Sequence, residues 1–180
     1  MPSIRIPKER IGVLVGEKGK TKKKIEKETG AVLDIDSNTG AVEIDTRGVT
    51  DPVMMLKVED VIKAIGRGFN PRKALFLLQD DVYFELMDIR SYVGKSTNSV
   101  NRMKARLIGK DGRTRELIEE LSECFVSIYG NTVCIIGTPM EMSIARRAVQ
   151  MILEGSEHST VYGYLESKRT DIKKRKSGFF

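Results

Sequence analysis

The sequence predicts an α+β protein built from two copies of one small unit and a C-terminal helical extension. The first observation is a repeat, because GEKGKTKKKIEKETGAVLDI at 16–35 resembles GKDGRTRELIEELSECFVSI at 109–128. The second is the pattern within each copy, where a Gly-x-x-Gly loop is followed by a helical segment and then by strand-like alternation. The third is the length of 180 residues, which with a repeat favours two units of about 80–90 residues.

The first unit opens with a short strand in which Ile4 and Ile6 alternate with polar residues. Pro7 ends this strand because proline has no N–H to donate to a sheet. Gly30 ends the helix that follows the first loop. The predicted order is β-α-α-β-β-α: a strand over 3–7, helices over 8–15 and 20–29, strands over 32–36 and 42–44, and a helix from Asp51-Pro52 to 66–68.

The second unit repeats this order. Thr138-Pro139 caps and begins its closing helix as Asp51-Pro52 does in the first unit. Gly130-Asn131 is a two-residue hairpin turn that places Cys134 opposite Ser127. The predicted elements are a strand over 82–89, helices over 99–107 and 113–122, strands over 124–129 and 132–136, and a helix from Thr138 to about 155.

These elements define the expected domains: 1–70 for the first unit, 71–81 for a helical connector, 82–155 for the second unit and 156–180 for the extension. A helix over 158–176 is expected to end in a frayed basic run. That run is either solvated or a clamp on phosphates, and it consists of Lys173, Lys174, Arg175 and Lys176.

The two hairpins differ on their second face. In the first unit this face is acidic and should be solvated, and it carries Asp34, Asp36, Glu43 and Asp45. In the second unit it is apolar enough to need cover, and it carries Phe125, Ser127, Tyr129, Cys134 and Ile136.

Composition excludes several classes of function. No apolar run reaches the roughly 18 residues of a membrane span, and the N-terminal MPSIRIPKER has no signal-peptide core. We therefore expect a cytoplasmic protein with no membrane partner. Cys124 and Cys134 are predicted to be reduced packing residues, and with His158 as the only histidine we expect no metal site and no cofactor.

The Gly-x-x-Gly loops are the predicted binding sites for single-stranded RNA. A loop between two helices can aim backbone N–H groups at a phosphate, and glycine allows close approach. The helix and strand beyond such a loop can hold about four unpaired bases. We expect the second loop to carry the main contact, because the basic extension follows that unit. The candidate residues are Gly109, Lys110, Asp111, Gly112, Arg113 and Arg115 in the second unit, and Gly16, Glu17, Lys18, Gly19, Lys20 and Lys22 in the first.

Other interpretations of the loops are a ligand-free helix–helix turn, a protein-interaction scaffold and a nucleotide hydrolase. Gly19-Lys20-Thr21 resembles the end of a P-loop, but Leu14 stands where the motif requires glycine. Acidic pairs such as Glu119-Glu120 have no nucleophile or histidine companion. We therefore predict no catalytic residue, and neither RNA cleavage nor ATP hydrolysis.

The element order and the loops resemble the type I KH domain over 3–69 and 82–155. KH domains usually place an apolar residue three positions after the motif, where this chain has Lys22 and Arg115. This departure predicts a more electrostatic groove.

The whole chain resembles the archaeal pre-ribosomal RNA processing factors of the Dim-two type, also called partner of Nob. Three stretches carry the resemblance: VIKAIGRGFNPRKALFLLQDD at 61–81, ARLIGKDGRTRE at 105–116 and VYG at 161–163. It implies a small-subunit assembly factor that binds the 3′ region of 16S rRNA. The implied partners are the PIN-domain endonuclease Nob and, more weakly, the alpha subunit of translation initiation factor two. The alternative is an exosome-like or messenger-RNA-binding KH adaptor.

Overall fold

A computed structural model describes residues 1–178. The chain forms two compact units, Met1–Phe84 and a second that begins at Glu85. Each contains the predicted β-α-α-β-β-α order and one three-stranded antiparallel sheet. Among the described residues, no helix is long and apolar enough to cross a membrane.

The first unit packs three helices on a three-stranded sheet in which the third strand lies between the other two. Its third helix buries a stripe of four apolar residues with no exposed surface, Val58, Val61, Ile62 and Ile65. The elements are β1 (Ser3–Arg5), α1 (Lys8–Val15), α2 (Lys20–Thr29), β2 (Val32–Ile35), β3 (Ala41–Asp45) and α3 (Pro52–Gly66).

A short connector follows α3 and belongs to the first unit. It consists of α4 (Pro71–Ala74) and a 3₁₀ turn (Leu75–Leu78). Lys57 on α3 is buried beneath it and donates from Nζ to the carbonyl oxygens of Leu77 at 2.9 Å, Val82 at 3.3 Å and Gln79. The predicted helical connector is present, but its attachment by a buried lysine was not predicted.

The second unit has an equivalent sheet with its last strand in the middle, and its first strand begins at Tyr83, just before the boundary between the units. It contains one unpredicted helix, α5, where the Asp88 carboxylate accepts from the backbone N–H of Arg90 at 2.9 Å and also binds its guanidinium. The elements are β4 (Tyr83–Asp88), α5 (Arg90–Val93), α6 (Thr97–Ile108), α7 (Arg113–Ser122), β5 (Phe125–Tyr129), β6 (Thr132–Gly137), α8 (Pro139–Leu153) and α9 (His158–Lys176).

The register of the second hairpin is the predicted one. Ser127 is opposite Cys134, and both cysteines are free and buried. Burial raises the pKa of the Cys124 thiol to about 12, so this thiol stays neutral. The apolar face of the hairpin in the second unit is half-buried or buried, as its residues require. On the corresponding face in the first unit, Asp34, Asp36 and Glu43 are exposed.

Both predicted N-cap positions are confirmed, but only one of the two side chains bonds the backbone of its helix. The Asp51 carboxylate accepts from the N–H of Val53 at 2.9 Å. Thr138 occupies the N-cap position of α8 but makes no side-chain cap, and its hydroxyl donates to Glu141 Oε2 at 2.7 Å. Thr138 is therefore the N-cap residue as predicted, but its side chain bonds Glu141 and not a backbone N–H.

Candidate nucleic-acid interface

The two Gly-x-x-Gly loops have the same backbone conformation. Each is a 3₁₀ turn between two helices, Glu17–Gly19 in the first unit and Lys110–Gly112 in the second. The φ and ψ angles agree within a few degrees at every compared pair: Gly16 (73°, 173°) with Gly109 (74°, 176°), Lys18 (53°, 29°) with Asp111 (54°, 29°), and Gly19 (75°, 13°) with Gly112 (76°, 9°). The chain therefore builds one loop twice.

The first glycine of each loop is required by both torsion and space. Its positive φ with ψ near 180° is a conformation essentially confined to glycine. A Cβ on Gly16 would lie 2.3 Å from Thr21 Oγ1, and one on Gly109 would lie 2.2 Å from Thr114 Oγ1. The second glycine differs, since a Cβ on Gly112 would meet no other atom within 4 Å. The first glycine therefore fixes the path of the chain into the following helix.

The loops leave backbone donors for a ligand. The N–H of Gly19 bonds to Gly16 O at 3.1 Å, and that of Gly112 bonds to Gly109 O at 3.2 Å. Among residues 1–178, the two central amides of each loop make no backbone hydrogen bond; they belong to Glu17, Lys18, Lys110 and Asp111. Successive unpaired N–H groups at a helix N-terminus form a concavity suited to an anion.

The predicted side chains surround these donors in two groups. The exposed group comprises Glu17, Lys18, Lys20, Lys110, Asp111 and Arg113. Lys22 and Arg115 are half-buried. Arg115 lies 3.0 Å from Glu119 Oε2, and Glu119 Oε1 accepts from the N–H of Val126 on β5 at 2.8 Å. Arg115 is thus held along α7 beside the sheet, while the exposed cations are free to meet a phosphate.

An arginine anchors the helix before each loop, and sequence reasoning missed both. Arg10 on α1 donates to the carbonyl oxygens of Ile65 at 2.7 Å and Phe69 at 2.8 Å. Arg106 on α6 donates to those of Ile152 at 2.8 Å and Ser156. These carbonyls are equivalent in the two units, so each arginine ties a loop-bearing helix to the C-terminal end of α3 or of α8.

The C-terminal helix is ordered rather than frayed. Ile172 is 1% exposed, and Lys176 pairs with Glu123 and, at 3.0 Å, with Glu141 Oε1. The hydrogen bond from Lys176 lowers the pKa of Glu123, and the hydrogen bonds to Glu123 and Glu141 raise the pKa of Lys176. The expectation of a frayed end was wrong because this part of the basic run is paired with the second unit. Lys173 and Lys174 remain exposed.

The P-loop interpretation does not fit the geometry. The element before Gly19-Lys20-Thr21 is helix α1, whereas a P-loop follows a strand. Leu14 lies fully buried in the core. Across residues 1–178, no group of three or more His, Cys, Asp or Glu side chains could hold a metal ion.

Comparison with known families agrees with this geometry. Residues 3–56 match the KH domain, and residues 83–170 match the eukaryotic-type KH domain, KH-domain type I. A KH domain-containing protein of Methanocaldococcus jannaschii, MJ0443, is 46% identical over 95% of this chain and 75% of its own length. The crystal structure of Dim2p from Pyrococcus horikoshii superposes with a TM-score of 0.85 at 44% identity, covering 92% of this chain and 98% of that one. The chain belongs to the Dim2/PNO1-type family of KH-domain proteins.

Two further relatives of this KH protein extend the comparison. Dim2p in an a/eIF2alpha–aDim2p–rRNA complex from Pyrococcus horikoshii gives a TM-score of 0.88 at 44% identity over 94% of both chains. The pre-rRNA-processing protein PNO1 of Coccidioides immitis is 34% identical over 75% of this chain and 54% of its own length. The chain therefore spans about half the length of the eukaryotic relatives that it matches.

Proposed function

We propose that this KH protein binds single-stranded rRNA near the 3′ end of 16S rRNA through its Gly-x-x-Gly loops and supports small-subunit pre-rRNA processing without catalysing a reaction. The observation that carries the proposal is the duplicated loop, in which two unpaired amides lie among exposed cations at the start of a helix. A phosphate in this concavity would accept from the amides, while the helix dipole and lysines add attraction.

The relatives support the choice of RNA. One is named as a pre-rRNA-processing protein, and another was solved in a complex with rRNA and a/eIF2alpha. We accordingly propose rRNA and the alpha subunit of translation initiation factor two as partners. The PIN-domain endonuclease Nob is proposed from the family resemblance alone, and catalysis of the processing step would then belong to that partner.

The second loop is proposed as the main contact. Lys110→Asp places a second carboxylate beside Asp111, where a phosphate should bind. We expect RNA affinity to fall by more than about ten-fold, or about 1.4 kcal/mol, with little change in thermal stability because Lys110 is exposed. Lys18→Asp should cost less. Titration of a labelled oligonucleotide with the 16S 3′-end sequence measures both.

Lys63→Asp is the matched control, since it changes the net charge equally at an exposed site on α3. Equal losses of RNA affinity for Lys110→Asp and Lys63→Asp would show that the effect comes from net charge and not from a contact at the loop. A larger loss for Lys18→Asp would reverse the proposed ranking of the loops. Binding of unrelated RNA as tightly as the 16S sequence would favour the adaptor function instead.

The exposed part of the C-terminal run is proposed to bind flanking phosphates without reading sequence. Replacing both Lys173 and Lys174 by glutamine should flatten the slope of log K against log[salt] by up to about 0.7 per lost contact on single strands. Base preference should not change, because phosphate contacts position a chain and do not read its sequence. Lys176→Gln is the comparison, since that side chain is paired with Glu123 and Glu141. An unchanged slope in the double variant would show that Lys173 and Lys174 contact solvent and not phosphates.

A further inference from the structure

Helix α9 reaches the second Gly-x-x-Gly loop through one hydrogen bond. The hydroxyl of Thr114, in the first turn of α7, lies 2.9 Å from the phenolic oxygen of Tyr162. Thr114 is 2% exposed. Its Oγ1 also fills the space beside Gly109 that a Cβ would occupy. The atom that packs against the first glycine of the loop is therefore the atom that Tyr162 holds.

Tyr162 is itself fixed in place. Its neighbours Val161 and Leu165 have no exposed surface, so α9 is docked on either side of it. The His158 ring stacks on the Tyr162 ring with centroids 5.9 Å apart. His158 Nε2 lies 2.9 Å from the carbonyl oxygen of Arg106 on α6. The first turns of α9 thus contact the helix before the loop and the helix after it.

The first unit lacks this arrangement. Thr21 packs against Gly16 as Thr114 packs against Gly109. The Thr21 side chain is half-buried and has no hydrogen-bond partner among the residues that the structure describes. The same loop is therefore supported by a tyrosine in one unit and unsupported in the other.

We infer that Tyr162 is a positioning residue that holds the second Gly-x-x-Gly loop in its anion-binding conformation. The inference rests on the proposed function of that loop. Because Tyr162 holds the hydroxyl of Thr114, this side chain keeps one rotamer against Gly109. The loop therefore loses less conformational entropy when RNA binds. Without the phenol, the Thr114 hydroxyl is left buried without its partner and can turn toward the loop backbone.

The test compares Tyr162→Phe, Thr114→Val, the two combined, and Thr114→Ser, which keeps the hydroxyl. Binding of the 16S 3′-end oligonucleotide should weaken about three- to ten-fold in each of the first two variants, the range expected for one neutral hydrogen bond. The combined variant should lose no more than either single change, because both remove the same bond. Thr114→Ser should bind nearly as the parent chain does. Tyr164→Phe, on the same helix, is the control and should have no effect.

Amide hydrogen exchange separates positioning from general stability. The N–H of Gly112, bonded to Gly109 O, should exchange faster in Tyr162→Phe, while that of Gly19, bonded to Gly16 O, should not change. Parent-like binding and exchange in Tyr162→Phe, or additive losses in the combined variant, would overturn the inference. If Lys110→Asp weakens binding and Tyr162→Phe does not, only the inference fails. If neither change affects binding, the proposed function of the loop fails with it.

Discussion

Gly109→Ala is expected to lower the free energy of unfolding by about 3 kcal/mol, because alanine cannot adopt a positive φ with ψ near 180° without strain. The new Cβ would also lie 2.2 Å from Thr114 Oγ1. Thr114 is buried and bonded to Tyr162, so it has little room to move. Urea unfolding followed by circular dichroism measures the loss.

Gly112→Ala is the matched control for this prediction. Gly112 has φ 76° and ψ 9°, a left-handed conformation that costs a residue with a Cβ only about 1–2 kcal/mol. A Cβ there would meet no other atom within 4 Å. The two alanine variants should therefore differ clearly in stability, and equal losses would contradict both the torsional and the steric argument for Gly109.

Lys57→Met is expected to lower the free energy of unfolding by about 3–4 kcal/mol, because a buried ammonium that satisfies three carbonyls would be removed. The carbonyl oxygens of Leu77, Gln79 and Val82 would lose their donor, and the ammonium would also leave its place 5.8 Å from the centre of the Tyr83 ring. Methionine has a similar length, so the cavity left behind is small. The connector should be the first segment to gain hydrogen exchange.

Lys63→Met on the same helix provides the comparison. Lys63 is exposed and lies 3.8 Å from Glu59 in an i,i+4 pair, an interaction worth about 0.3–0.5 kcal/mol. A loss below about 1 kcal/mol for Lys57→Met would mean that water replaces the ammonium at these carbonyls.

The element order and the loops could be predicted from sequence because their causes are local. Periods of apolar residues set the helices and strands, and glycine or proline marks their ends. The Gly130-Asn131 turn likewise fixed the register of Ser127 with Cys134. Repetition made the prediction stronger, since the same signals at 16–19 and 109–112 describe loops whose torsions agree within a few degrees.

Local competition between side chains limited the prediction of caps. Asp51 and Thr138 stand at equivalent positions before a proline, yet Asp51 caps its helix while Thr138 donates to Glu141. Helix α5 begins at another local side-chain contact, in which Asp88 binds both the backbone and the side chain of Arg90. Residue type predicts the position of a cap, but the folded structure decides which group the capping side chain bonds.

The sequence by itself determined the family, the duplicated fold and the position of both candidate loops. The tertiary structure alone decided which polar side chains support them: Tyr162 with Thr114, Lys57 with the connector carbonyls, Arg106 with the end of α8, and Lys176 with Glu123 and Glu141. The physical reason is distance along the chain. A helix period or a turn is encoded by neighbouring residues, whereas a buried hydroxyl or ammonium takes whichever partner the packed elements bring within about 3 Å.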